Sequence, residues 1–98
     1  MTDAEILGLV KTDVGLLQTD QQHEAFLEHC LSSAKAFIER EGVTLNLDSA
    51  EDIGIVRMYA AYLFKRRNAG EDATMPRMLR WTLNNRVLAE HGGVSDES

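Results

Sequence analysis

RMYAAYLFKRRNAGEDATMPRMLR, residues 57–80, holds the end of one helix and the start of the next. It opens as an apolar helix through Met58, Ala61, Leu63 and Phe64 and reaches a basic terminus at Lys65, Arg66 and Arg67. Cations are favoured there because the helix dipole leaves its C-terminal end negative. An acidic, glycine-containing turn, GEDAT, leads to Pro76, whose fixed φ suits the first position of a new helix. The stretch is built for packing and partner contact and carries no catalytic signature.

Upstream of it, Asp48 or Ser49 caps the third helix, with Glu51 and Asp52 in the first turn where the dipole favours negative charge. That helix runs to about Ala69 and stops at Gly70. Ile53, Val56, Ala60, Leu63 and Phe64 share one side, and Ile55, Tyr59 and Tyr62 lie round on another. A helix apolar over so much of its girth is central in its own bundle or shared with another subunit. Gly54 inside it points to a close backbone approach, at a cost in helix stability. Downstream, the last helix runs from Pro76 to about Glu90 with Met75, Met78, Leu79, Leu83 and Val87 inward. Trp81, Leu88 and Arg77 occupy a different face.

Towards the N-terminus the chain punctuates itself again. Thr2 with Glu5 makes a capping-box pattern for a short helix from about Asp3 to Lys11, which buries Ile6, Leu7 and Val10. After a break at Gly15, a second box, Thr19 with Gln22, opens a long helix from Asp20 to Glu41. Phe26, Leu27, Cys30, Leu31, Ala34, Phe37 and Ile38 give it one apolar stripe. Gly42 is its C′ residue. VTLNL (43–47) alternates like a strand but has no partner, so it reads as an extended connector. The expected fold is all-α: a bundle of about four helices, one short and N-terminal, two long and central, one C-terminal. It occupies 1–91 as a single domain, with a disordered tail over 92–98.

The whole chain of 98 residues, 44% apolar with one proline, is large enough for a core and too small for a deep cleft. The lone Cys30 excludes an internal disulfide and fits a reducing compartment. No run is long enough for a membrane span, and the start lacks the basic, then apolar, pattern of a secretory leader. A soluble, cytoplasmic protein is expected. The net charge of −6 is unevenly placed: residues 1–52 hold eleven acidic and three basic side chains, residues 53–98 five and seven. In a head-to-tail assembly such an acidic front meets a basic back, which steers association.

Candidates for chemistry are few. His23, His29 and Cys30 share a helix, but zinc needs about four convergent ligands, and neighbours on a helix diverge by about 100°. With no CxxC or HExxH spacing, no metal or other cofactor is expected, and Cys30 reads as a core residue. No histidine is placed to activate a nucleophile, no glycine-rich phosphate loop exists, and an enzyme is not expected. Lys65, Arg66 and Arg67 could meet phosphates, and a final helix bearing Arg77, Arg80, Asn84, Asn85 and Arg86 imitates a recognition helix. The overall acidity opposes both. Arg67 falls on the side of Val56 and Ala60, where an arginine requires a carboxylate or carbonyls. Trp81, among Arg77, Asn84 and Asn85, has the composition of an interface anchor.

The order of these features resembles the head–tail connector family, the small helical head-completion or adaptor proteins of tailed phages and prophages. The resemblance spans roughly Ala4 to Leu88: the short helix, HEAFLEHCLSSAKAFIEREG, then AAYLFKRRNAG, a turn, and MPRMLRWTLNNR. Ala61, Tyr62, Leu63, Phe64 and Arg67 followed by Pro76 carry it best. Phe64 stands where many members have Tyr, and Asn68 where they have an acidic residue. The resemblance implies a virion protein at the head–tail junction, present in the bacterial host cytoplasm before assembly. It implies a ring of about twelve copies, matching a portal and extending the DNA exit channel. The partners implied are the portal protein and the next head-completion or tail protein, with DNA passing without sequence-specific binding and no membrane. Tyr59, Tyr62, Arg66, Arg67, Arg77, Arg80 and Trp81 are the expected interface. Glu24, Glu28, Asp48, Glu51 and Asp52 form the expected acidic face. The competing expectation is a small cytosolic helical module that binds one protein partner or regulates DNA.

Overall fold

The computed structural model describes residues 1–69 and 74–92. Among them are α1 (Asp3–Asp13), α2 (Glu24–Arg40), α3 (Ala50–Ala69) and α4 (Arg77–Val87), which continues into a π-type turn over Leu88–Gly92. No strand occurs among the described residues. The fold is the small all-α bundle its sequence predicts. Most of the acidic 70–74 turn and the tail after residue 92 lie outside the described residues.

Each helix end has a local cause. At α1 the capping box forms: Thr2 Oγ1 accepts from the Glu5 amide at 3.2 Å, and the Glu5 carboxylate accepts from the Thr2 amide at 2.8 Å. The Thr2 backbone bond holds Glu5 below the usual carboxylate range. The box expected at Thr19 and Gln22 does not form, and α2 starts at Glu24, four residues later than its apolar pattern predicts. A buried lysine competes for this segment. Lys11, only 6% exposed, donates through Nζ to the carbonyls of Gln18 and Asp20 at 3.1 Å each, holding residues 18–20 as a turn. The Asp20 carboxylate accepts the His23 amide at 2.9 Å, which holds that carboxyl below its ordinary range.

The C-terminal end of α2 follows expectation. Gly42 adopts φ +108°, its amide donates to Glu39 O at 3.0 Å, and the Val43 amide donates to Ile38 O at 3.4 Å. This is a Schellman ending, and Val43 and Ile38 are both buried, supplying its apolar contact. The following residues 43–46 form neither helix nor strand and lead to a turn at Leu47; Val43 is buried and Leu45 and Leu47 pack on the core.

Helix α3 is central, packing against α1, α2 and α4. Ser49 caps it, its Oγ accepting from the Asp52 amide at 3.4 Å. Its buried residues, Asp52, Ile55, Val56, Tyr59, Ala60 and Phe64, lie at i, i+3, i+4, i+7, i+8 and i+12 and form one stripe. This corrects the two-sided reading. Ile55 and Tyr59 share the stripe with Val56 and Ala60, while Ile53, Tyr62 and Leu63 flank it half-buried. Gly54 is also corrected: a Cβ there would meet nothing within 4 Å, so no close approach requires it.

Pro76 sits at the N-cap of α4 with ψ 139°, one position before the helical residue expected. Leu79 and Leu83 are fully buried and Met75 and Val87 partly so. Met78 was expected inward but is 62% exposed, because one residue of helix turns it about 100° from Leu79. The last turns are tied to the body by polar contacts. Arg86 pairs with buried Asp52 through Nη1 and with Glu90 at 2.9 Å through Nη2. Glu90 accepts the Thr44 amide at 3.0 Å, and His91 Nε2 lies 2.6 Å from Gly42 O. Asp52 also accepts the Asn46 amide at 2.7 Å, so one carboxylate anchors both the connector and α4.

Candidate interaction surfaces on the two flanks of helix α2

The buried stripe of α2, Leu27, Cys30, Leu31, Ala34 and Ile38, divides its surface into two unlike flanks. On one flank an open groove of about 450 Å³ runs between α2 and α3, lined by Phe26, His29, Cys30, Ser33, Phe37, Leu63, Arg66 and Arg67. The floor is aromatic and aliphatic and the rim is basic. Arg67 lies with its guanidinium carbon 4.8 Å from the centre of the Phe26 ring, a cation–π contact. It is exposed, which corrects its placement on the buried stripe: the partner is an aromatic face, not a carboxylate. Phe26 leans in turn on Phe64 at 5.6 Å, fixing the platform under the arginine. Arg66 is exposed on the same rim. Burial pushes the Cys30 thiol up, against the opposing pull of the Arg67 charge, so the thiol is a poor nucleophile.

The other flank of α2 is polar, with one more carboxylate than it has lysines. Asp3, Glu24 and Glu28 line a polar cleft between α1 and α2, together with Lys11 and Lys35. Lys35 binds both oxygens of Asp3 at 2.9 Å, and Lys11 lies 3.6 Å from Glu24. Glu28 is exposed and takes no salt bridge among the described residues. The groove residues of α2 (26, 29, 30, 33, 37) and its cleft residues (24, 28, 31, 32, 35) fall on opposite sides at about 3.6 residues per turn.

The remaining candidates divide clearly. Asp48 and Glu51 are exposed at the start of α3, and Asp48 accepts from the Met1 amine at 3.2 Å. Asp52 does not belong to an acidic face: it is 3% exposed and committed to Arg86, Asn46 and the Ser49 cap. Tyr59, expected at an interface, is 7% exposed, and its ring packs 6.0 Å from Phe37 and 6.1 Å from Tyr62. Burial and then the Glu41 charge push its hydroxyl pKa up. Tyr62 is half-buried over a second groove that also holds Lys65 and Pro76.

Arg80 is spent within the chain, donating to both oxygens of Glu41 at 3.2 Å. With Arg86 also committed, a recognition-helix reading of α4 keeps only Arg77 of its three arginines. Arg77 and Trp81 are exposed, Trp81 by 62%, with Met78 and Leu88 nearby on the helix. His23 rests edge-on against Phe64 and beside Asp20, and no group of three possible metal ligands occurs among the described residues.

Sequence reasoning missed the groove because it assigned Phe26 and Phe37 to the core. They are the two aromatic residues at the edge of the stripe, eleven positions apart and therefore on one side of the helix. The Arg86–Glu90 tie had a visible signal in its i,i+4 spacing. No family model, curated protein or solved structure matches this chain.

Proposed function

We propose that this protein is a structural subunit that joins copies of itself head to tail, as a ring at the head–tail junction of a tailed phage or prophage. The observation that supports the reading is the opposition, across one helix, of a polar flank bearing Glu28, unpaired among the described residues, and a basic, apolar-floored groove. Unlike surfaces on opposite sides of one subunit make heterologous contacts, and such contacts close into rings when the rotation allows. The ring sits between the portal and the next head-completion or tail protein, with about twelve copies to match the portal. A chain of net charge −6 gives DNA no reason to stall in the channel, because like charge repels the backbone. The commitment of Arg80 and Arg86 inside the fold weighs against a DNA-reading regulator.

Light scattering behind size exclusion, followed by imaging of large species, tests the reading with the chain alone and with portal rings. A discrete ring, alone or seated on the portal, is the expected result. A monomer at every concentration that also ignores portal rings would sink the proposal and favour a single-partner interaction module.

A further inference from the structure

We infer that the α2–α3 groove is the socket for a second copy of this chain, and that the knob is the Leu17 corner with the Glu24–Glu28 edge beside it. The inference rests on the head-to-tail reading and names its contact. The socket has an apolar floor in Phe26, Phe37 and Leu63 and a cationic rim in Arg66 and Arg67. It therefore takes an apolar side chain flanked by carboxylates.

Among the described residues the large exposed hydrophobics are Met1, Leu17, Met78, Trp81 and Leu88. Charge chooses among them. Trp81 is the larger knob, but Arg77, an exposed cation, lies one turn before it, while Arg80 is already paired with Glu41. Seating Trp81 in the groove would set Arg77 against Arg66 and Arg67, and like charges facing each other disfavour that interface. Met78 and Leu88 share that helix. Leu17 is 75% exposed and has the opposite setting.

The Lys11 ammonium gathers that corner. It binds the carbonyls of Gln18 and Asp20 and lies 3.6 Å from the Glu24 carboxylate, so the residue next to Leu17 and the first acid of α2 meet at one point. Glu28 follows one turn along the same face. The corner is tied by a lysine that is itself buried, which limits the ordering cost of docking. In the groove, Arg67 is already laid on Phe26 and points no carboxylate of the described residues at itself.

The decisive experiment is a mixing test read by sedimentation velocity and by dilution of labelled chain in amide NMR, from millimolar to micromolar. R66E/R67E disables the socket, and L17S/E28K disables the knob; all four positions are exposed, so both variants keep the wild-type helical spectrum. Each alone is expected to self-associate about tenfold more weakly or worse. Mixed, they are expected to regain one contact, because the intact socket of one meets the intact knob of the other. Wild-type dilution shifts are expected at Phe26, His29 and Leu63 and at Leu17 and Glu28, and W81A leaves them unchanged. Wild-type behaviour of R66E/R67E, or loss of association in W81A alone, would overturn the socket while leaving ring formation standing. Absence of dilution shifts at millimolar concentration also overturns it, and the portal experiment then decides the ring separately.

Discussion

Arg86 and Glu90 are the side chains on which the C-terminal helix hangs. Arg86 satisfies a carboxylate, Asp52, that would otherwise be a buried unpaired charge, and removing one partner of such a pair typically costs about 3–5 kcal/mol. Glu90 is held below the ordinary carboxylate range, first by the Thr44 amide and then by Arg86. Its folded pKa therefore lies below its unfolded one. The stability it supplies is present above the unfolded value, near pH 4.3, and is lost as pH falls through the folded value. Thermal melts of wild type and E90Q are expected to differ most at neutral pH and to converge as the pH falls below the ordinary carboxylate range. A difference that stays constant across that range would show that the carboxylate charge is not what holds the turn. Beyond the i,i+4 spacing of Arg86 and Glu90, the pairing was not legible beforehand, although every residue in it was visible. Asp52 was read as a dipole-favoured surface acid because its first-turn position explains an acid by itself. That it faces Arg86, thirty-four residues away, depends on how α3 and α4 cross, which no local pattern encodes.

At the scale of elements, periodicity and punctuation found every helix, and the errors lie where two local signals competed. The Thr19–Gln22 box was outbid by a lysine on α1, a tertiary contact overriding a capping preference. On α3, two apolar groups about 100° apart were read as separate faces, although a central helix buries a stripe at least that wide. The groove was illegible for a related reason: Phe26 and Phe37 belong to the apolar pattern whether they are core or rim. Gly54 is the element-scale test. Its open surroundings remove any packing reason for glycine inside a helix. Gly54→Ala is expected to stabilise the monomer by about 0.5–1 kcal/mol by restricting the unfolded chain. In a domain of this size that is a rise in melting temperature of a few degrees, measurable by calorimetry. A fall instead would mean that the α3 backbone needs a freedom that its open surroundings do not show.

For the whole molecule, the question is which force joins copies, and salt separates the two candidates. If the Glu28-bearing flank of α2 meets the Arg66–Arg67 rim, the attraction acts between exposed charges and is screened. The screening length falls from about 10 Å at 0.1 M to about 3 Å at 1 M ionic strength. Apolar contact between Leu17 and the groove floor persists or strengthens over that range, particularly in sulfate, because excluded salts favour burial. A contact made of both keeps its short-range part and loses its steering. Association rates are then expected to fall by about tenfold or more between low and high sodium chloride, with a much smaller change in dissociation rate. Stopped-flow mixing of differently labelled subunits measures both. Association that accelerates with salt would point instead to the Met78–Trp81–Leu88 stripe, whose exposed neighbour Arg77 would face its own kind across such a contact and benefit from being screened. Subunits joined through that stripe would meet through α4, and the two flanks of α2 would be left to face other partners.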